Sequence, residues 1–145
     1  MKAVAQRVSR ASVSVEGRIV GRIDEPGLLV LLGVHRDDGQ HDAARLAEKI
    51  WNLRMLEDEE SCQSAGAPLL VVSQFTLYGA VRKGRRPSWT AAAGRERSEP
   101  LYEEFVRCLR VLGAVVETGA FGAAMEVSLV NSGPFTLIVD TADLA

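Results

Sequence analysis

The chain reads as an α/β fold: one compact domain over residues 1–145, with a mixed sheet curled toward a barrel and two main helices. Three observations point there. Leu28–Val34 and Leu69–Phe75 are continuous apolar runs of strand length, the pattern of strands covered on both faces. Ala43, Leu46, Ala47 and Ile50, and later Leu101, Phe105, Leu109 and Leu112, recur at helical spacing. Elsewhere valines alternate with serines at a period of two, as in a half-buried strand.

Val4–Val8 is a first strand, and Val13 and Val15, alternating with Ser12 and Ser14, form a second extended segment. Glu16-Gly17 turns the chain into a strand at Arg18–Ile23, and Asp24-Glu25-Pro26-Gly27 turns it again into Leu28–Val34. Asp37 or Asp38 is placed to cap the first helix. Residues 57–68, acidic and then rich in Ser and Gly, read as a loop. Ser98 is placed to cap the second helix, with Pro100 in its first turn. Strands are expected at Ala114–Thr118, Met125–Val130 and Phe135–Asp140. This order leaves the strand topology open.

Bulk properties narrow the function classes. The chain has 145 residues, 47% apolar and 25% charged, the balance of a globular protein. A net charge of −2 rules out a molecule that binds nucleic acid with its whole surface, so any such contact needs a local patch. The longest apolar run is too short to cross a bilayer, and the first residues turn polar too soon for a signal peptide, so a cytoplasmic protein is expected. Cys62 and Cys108, and His35 and His41, lack the spacing of a metal or redox site, and neither metal nor cofactor is expected.

Two segments stand where an apolar strand gives way to small polar residues: Ser73-Gln74-Phe75-Thr76 and Asn131-Ser132-Gly133-Pro134-Phe135-Thr136. Ser73 lacks the glycines of a nucleophile elbow, and Thr76 has no neighbouring base, so a reaction here must rely on orientation and main-chain dipoles. The run Arg82-Lys83-Gly84-Arg85-Arg86-Pro87 sets four cations beside the first segment, with Tyr78 and Trp89 nearby. It reads either as a solvated face or as a loop that grips phosphates and offers a stacking surface. Gly133-Pro134 reads as a strand-to-strand turn whose peptide bond, on general frequencies, is trans.

These segments resemble the D-aminoacyl-tRNA deacylases. The resemblance runs through Gln6-Arg7-Val8, Gly27–Val34, Leu70–Gly79, Arg82–Ser88, Thr118–Met125 and Asn131–Thr136. It implies a homodimeric hydrolase that cleaves the ester of D-aminoacyl-tRNA, with glycine mischarged on tRNA also hydrolysed, and L-aminoacyl-tRNA spared as a form of proofreading. It further implies a cis Gly133-Pro134 bond reaching into the partner's site and selecting chirality with its carbonyls, which Arg7 orients. Ser73, Gln74, Phe75 and Thr76 are the implied catalytic segment, Phe121 and Met125 join the substrate site, and Arg82, Lys83, Arg85 and Arg86 are the implied tRNA contacts. The implied partner is the acceptor end of tRNA, with no DNA and no membrane. The chain departs from the family pattern in a shorter 57–68 loop lacking a Lys-Met-Asn pattern, in Ala80 and Val81 where polar residues are common, and in Ser132 where Asp is frequent. Two other classes, a non-catalytic RNA-binding module and a small-molecule-binding oligomer, are opposed by the presence of both segments intact.

Overall fold

The computed structural model describes all residues, Met1–Ala145. Its strands are β1 (Lys2–Val15), β2 (Arg18–Ile23), β3 (Gly27–Gly33), β4 (Leu69–Ser73), β5 (Val116–Thr118) and β6 (Glu126–Asp140). Three helices accompany them: α1 (Gln40–Asn52), the short α2 (Cys62–Ala65) and α3 (Arg95–Val111). The hydrogen-bonded order is β2-β1-β3-β4-β5, with β6 on the other edge of β1. β3, β4 and β5 run parallel, whereas β1 is antiparallel to β2, β3 and β6.

The two apolar runs become β3 and β4, and both faces of each are covered. Leu28, Val30, Leu32, Leu69 and Val71 turn toward α1 and α3, where they meet Leu46, Ile50, Phe105 and Leu109. Leu29, Leu70 and Val72 turn the other way and pack with Val8, Ala11, Val13 and Ile23 inside the curled sheet. β1 serves both layers because its alternation breaks once. Ala3 and Ala5 face the helices, and a register shift between Val8 and Arg10 then puts both Val8 and Ala11 inside.

The curl nearly closes where β2 meets β5. Gly21 makes this approach possible, since a Cβ there would lie 2.1 Å from the Thr118 carbonyl oxygen. The Arg22 N–H reaches Glu117 Oε1 across the same seam at 3.4 Å.

Several boundaries differ from the sequence reading. The first two expected strands are one, β1. β4 ends at Ser73 rather than Phe75, because Phe75–Tyr78 winds into a 3₁₀ turn. Neither Asp37 nor Asp38 caps α1. The N-cap is Gly39, whose N–H donates to Asp42 Oδ2 at 2.9 Å. Asp38 is engaged elsewhere, accepting from the buried Met1 ammonium at 2.7 Å and from the His35 N–H at 2.6 Å. α3 starts at Arg95 after Gly94, a turn earlier than Ser98, so Pro100 lies inside it. Leu112, expected on the apolar stripe, is exposed at its C-terminal end. The 57–68 segment holds a 3₁₀ turn (Glu57–Glu59) and α2 as well as loop. The strand expected at Ala114–Thr118 is limited to Val116–Thr118, and the last two expected strands are the single strand β6.

Gly21→Ala should therefore destabilise the fold by about 1–3 kcal/mol, because the atom it meets is main chain and yields only if the seam opens. Urea unfolding reads the loss; an unchanged midpoint would mean the seam shifts without cost.

Candidate active site

β4 is the central parallel strand, and its C-terminal end opens onto a cavity of about 450 Å³. Ser73, Gln74, Phe75, Phe121 and Met125 line it together, so the structure gathers five of the expected site residues. Thr76 sits outside that lining, exposed on the 3₁₀ turn, where its hydroxyl accepts from Gln74 Nε2 at 2.5 Å. The Gln74 N–H is taken by the Leu32 carbonyl at 2.7 Å, and the Leu77 N–H by the Gln74 carbonyl. The N–H groups between them, of Phe75 and Thr76, open the turn and have no main-chain acceptor. Two adjacent donors, one of them on the cavity-lining Phe75, are thus left unengaged.

The far wall comes from α3 and the β5–β6 connection. Tyr102 donates to the Val71 carbonyl at 2.7 Å, and burial pushes its hydroxyl up to about 12. Phe121 packs on the Tyr102 ring at 5.7 Å, and the Arg95 guanidinium lies 5.6 Å over Phe121. Arg95, Ser98 and Tyr102 also line the cavity, and the sequence reading did not find them. The hydroxyl of Tyr102, one residue beyond the stripe position Leu101, was the available signal. No group of three His, Cys, Asp or Glu side chains is placed to hold a metal.

The second segment is an excursion from a strand rather than a turn between two. Gln6 pairs with Thr136 and Val8 with Asn131, so five steps along β6 match two along β1. Ser132–Phe135, three residues more than the single Arg7 opposite them, bulge out with a cis Gly133-Pro134 bond, where general frequencies favoured trans. Arg7, opposite the bulge, holds it: Nε donates to the Ser132 carbonyl at 2.9 Å, Nη2 to the Gly133 carbonyl at 3.1 Å, and the guanidinium lies 4.7 Å over the Phe135 ring. Asn131 Nδ2 donates to the carbonyls of Arg7 (2.8 Å) and Phe135 (3.3 Å). Gly133 and Pro134 remain exposed.

One protomer does not bring the two segments together. Arg7 is level with Leu28 and, through it, with Leu69 at the start of β4, whereas Ser73 ends that strand. The offset is about 13 Å along the strands, plus three strand spacings, about 14 Å, across them. Arg7 and Ser132 instead line a separate groove with Glu57, Asp58 and Glu60.

Arg82, Lys83, Arg85 and Arg86 occupy an exposed hairpin tip beside the cavity turn. Ala80 and Ser88 close it with paired main-chain bonds of 2.8 and 2.9 Å, and Gly84 supplies a positive φ of 74° at the tip. None of the four cations has a carboxylate partner. Tyr78 does not serve this surface. It packs inward against His35 at 5.2 Å and under Lys2, and burial, with the charges of Asp38, Asp140 and Asp42, holds its hydroxyl well above the ordinary tyrosine value.

A family model described as D-Tyr-tRNA(Tyr) deacylase matches residues 4–140. A protein of Thermobifida fusca (strain YX) named D-aminoacyl-tRNA deacylase is 63% identical over 140 residues, covering 97% of this chain and 99% of the relative. A Streptomyces coelicolor protein of the same name is 59% identical with the same coverage. A solved structure described as c-Myc DNA Unwinding Element Binding Protein superimposes with a TM-score of 0.91 at 39% identity, over 97% of this chain and 98% of that one. Another, described as a probable eukaryotic D-amino acid tRNA deacylase, shares the fold with a TM-score of 0.82 at 18% identity, over 95% and 97%. With a family model spanning nearly its whole length and relatives near 60% identity, the chain belongs to the D-Tyr-tRNA(Tyr) deacylase family of aminoacyl-tRNA ester hydrolases.

Proposed function

We propose that this protein is a D-aminoacyl-tRNA deacylase whose active sites form between two copies of the chain. It hydrolyses the ester joining a D-amino acid to the terminal ribose of tRNA and releases the free amino acid. Glycine mischarged on tRNA passes the same filter, and L-aminoacyl-tRNA does not. A cytoplasmic location accords with a tRNA substrate, and no helix is long and apolar enough to cross a membrane.

The observation that carries this reading is the pair of unengaged N–H groups at Phe75 and Thr76 beside an apolar cavity of nucleoside size. An aminoacyl ester is already activated and carries a neighbouring ribose hydroxyl, so hydrolysis needs orientation and an oxyanion acceptor site more than a strong base. Water adds to the ester carbonyl, the developing oxyanion accepts from these N–H groups, and the C–O bond to the ribose breaks as the ribose oxygen takes the proton. One such donor contributes about 2.7–4 kcal/mol to transition-state stabilisation. Thr76 Oγ, held by Gln74, orients the substrate or its water.

The dimer reading rests on the separation of the two segments and on the surface of β6. That strand has one hydrogen-bonded neighbour, β1, and exposes Leu129, Val130, Leu137 and Ile138. Such an apolar edge is a surface for another chain. The Gly133-Pro134 bulge projects from this strand, and its carbonyls are groups that can hold a substrate amine. Gly133 is not needed by the protomer itself: a Cβ there would meet only Asn131 Oδ1, at 3.7 Å. Glycine at that position therefore fits a demand from outside the protomer, where a substrate α-carbon approaches main chain. Selection by main chain excludes an L side chain and leaves a D side chain of any identity free.

Purified protein should release D-tyrosine from D-Tyr-tRNA and glycine from Gly-tRNA while sparing L-Tyr-tRNA; equal rates on the two enantiomers would refute chiral selection. Thr76→Pro, which removes one of the two N–H donors, and Gly133→Asp chains should each be nearly inactive alone. Co-expressed, their heterodimer should regain about half the wild-type activity, since one of its two sites draws both segments from unmodified positions. No recovery in a verified heterodimer would place the whole site within one chain. Arg85→Glu with Arg86→Glu should raise KM for tRNA and flatten its dependence on salt by about two units of log–log slope, with kcat preserved. An unchanged slope would make the hairpin a merely solvated face.

A further inference from the structure

We infer that Trp89, braced by Phe75 and Gly79, is a stacking platform for an unpaired base of the RNA strand that enters the active site, upstream of the aminoacylated nucleoside. This rests on the tRNA reading above and assigns it a contact surface outside the cavity. Phe75 and Trp89 are exposed at 57% and 43% of their surfaces, which large aromatic side chains avoid unless something covers them. They meet edge to face, with ring centroids 5.3 Å apart. Behind the indole lies Gly79, where a Cβ would come within 2.7 Å of Trp89 Cζ3. The ring is thus held by main chain at Gly79 and by the Phe75 ring, and the rest of its surface stays accessible.

The surroundings select the occupant. From Gln74 to Gly94 the chain has no Asp or Glu, and it carries four cations at the 82–86 tip, none of them in an ion pair. The partner is therefore an anion that also presents flat π faces. A nucleic acid strand meets both conditions, and only an unpaired base can leave its own stack to cover an indole. Phe75 belongs both to this platform and to the cavity lining, so the platform continues the path of the strand out of the site.

The test uses two measurements on the intact protein. Trp51 is buried at 6% exposure, so tryptophan fluorescence that responds to ligand reports Trp89. Titration with the oligoribonucleotide 5′-ACCA should quench it, and Trp89→Phe should remove the response. In steady-state hydrolysis, Trp89→Ala should raise KM for D-Tyr-tRNA about tenfold, at the low end of what one base–aromatic stack contributes. KM for the nucleoside ester D-tyrosyl-adenosine, which lacks the upstream bases, should not follow it, and Trp89→Phe should restore most of the tRNA affinity. An equal rise for both substrates would make Trp89 a prop for the cavity and overturn the proposal, as would the absence of quenching. Failure of the wild-type protein to hydrolyse either substrate would refute the deacylase reading instead, since quenching is read without turnover.

Discussion

Every layer of this protein depends on β1 serving three partners. Its first half pairs with β3, its second half with β2 on the same edge, and nearly its whole length with β6 on the other. A flat strand could not do this while keeping apolar side chains inward. The register shift after Val8 lets the first half feed the helix-side core and the second half feed the barrel interior. With β1 fixed, β3 and β4 lie between two apolar layers, and the C-terminal ends of both open at the cavity.

The chemistry available there is mostly main chain. Phe75 and Thr76 present N–H groups, and the bulge presents the carbonyls of Ser132 and Gly133, fixed by Arg7. Side chains act as braces: Gln74 holds Thr76, Tyr102 ties α3 to the Val71 carbonyl, and Asn131 clasps both ends of the bulge. A site of this kind recognises the arrangement of groups around a carbon rather than the identity of a side chain.

What was legible in the sequence follows from how local each cause is. The apolar runs of β3 and β4 and the Ala43, Leu46, Ala47, Ile50 stripe of α1 are local, and they appear where they were read, except that β4 stops at Ser73. The start of α1 was missed because a distant group had prior claim: Asp38 is held by the Met1 ammonium, so Gly39 begins α1. The unity of β1 was hidden by polar Ser9 and Arg10 between the two expected segments, where the register against β6 also shifts. The segment Ser73–Thr76 could be recognised by its text, whereas Arg95, Ser98 and Tyr102 reach the cavity only because α3 crosses it. Tyr78 and Trp89 looked equivalent beside the basic run, yet the turn sends one, half-buried, against His35 and Lys2 and leaves the other open to solvent.

The bulge in β6 also constrains length. Val127 packs with the barrel interior and Val139 with the helix-side core, although they are an even number of residues apart and would share a face in an unbroken strand. The odd surplus between Asn131 and Thr136 reverses the alternation and turns Val139 to its proper side. It also sets Thr141, just beyond β6, where its hydroxyl accepts from the Met1 ammonium at 2.7 Å. Gain or loss of a single residue in the bulge would invert everything after it, whereas a change of two would keep the faces. The parity of this segment is thus part of its inheritance, independent of which amino acids fill it.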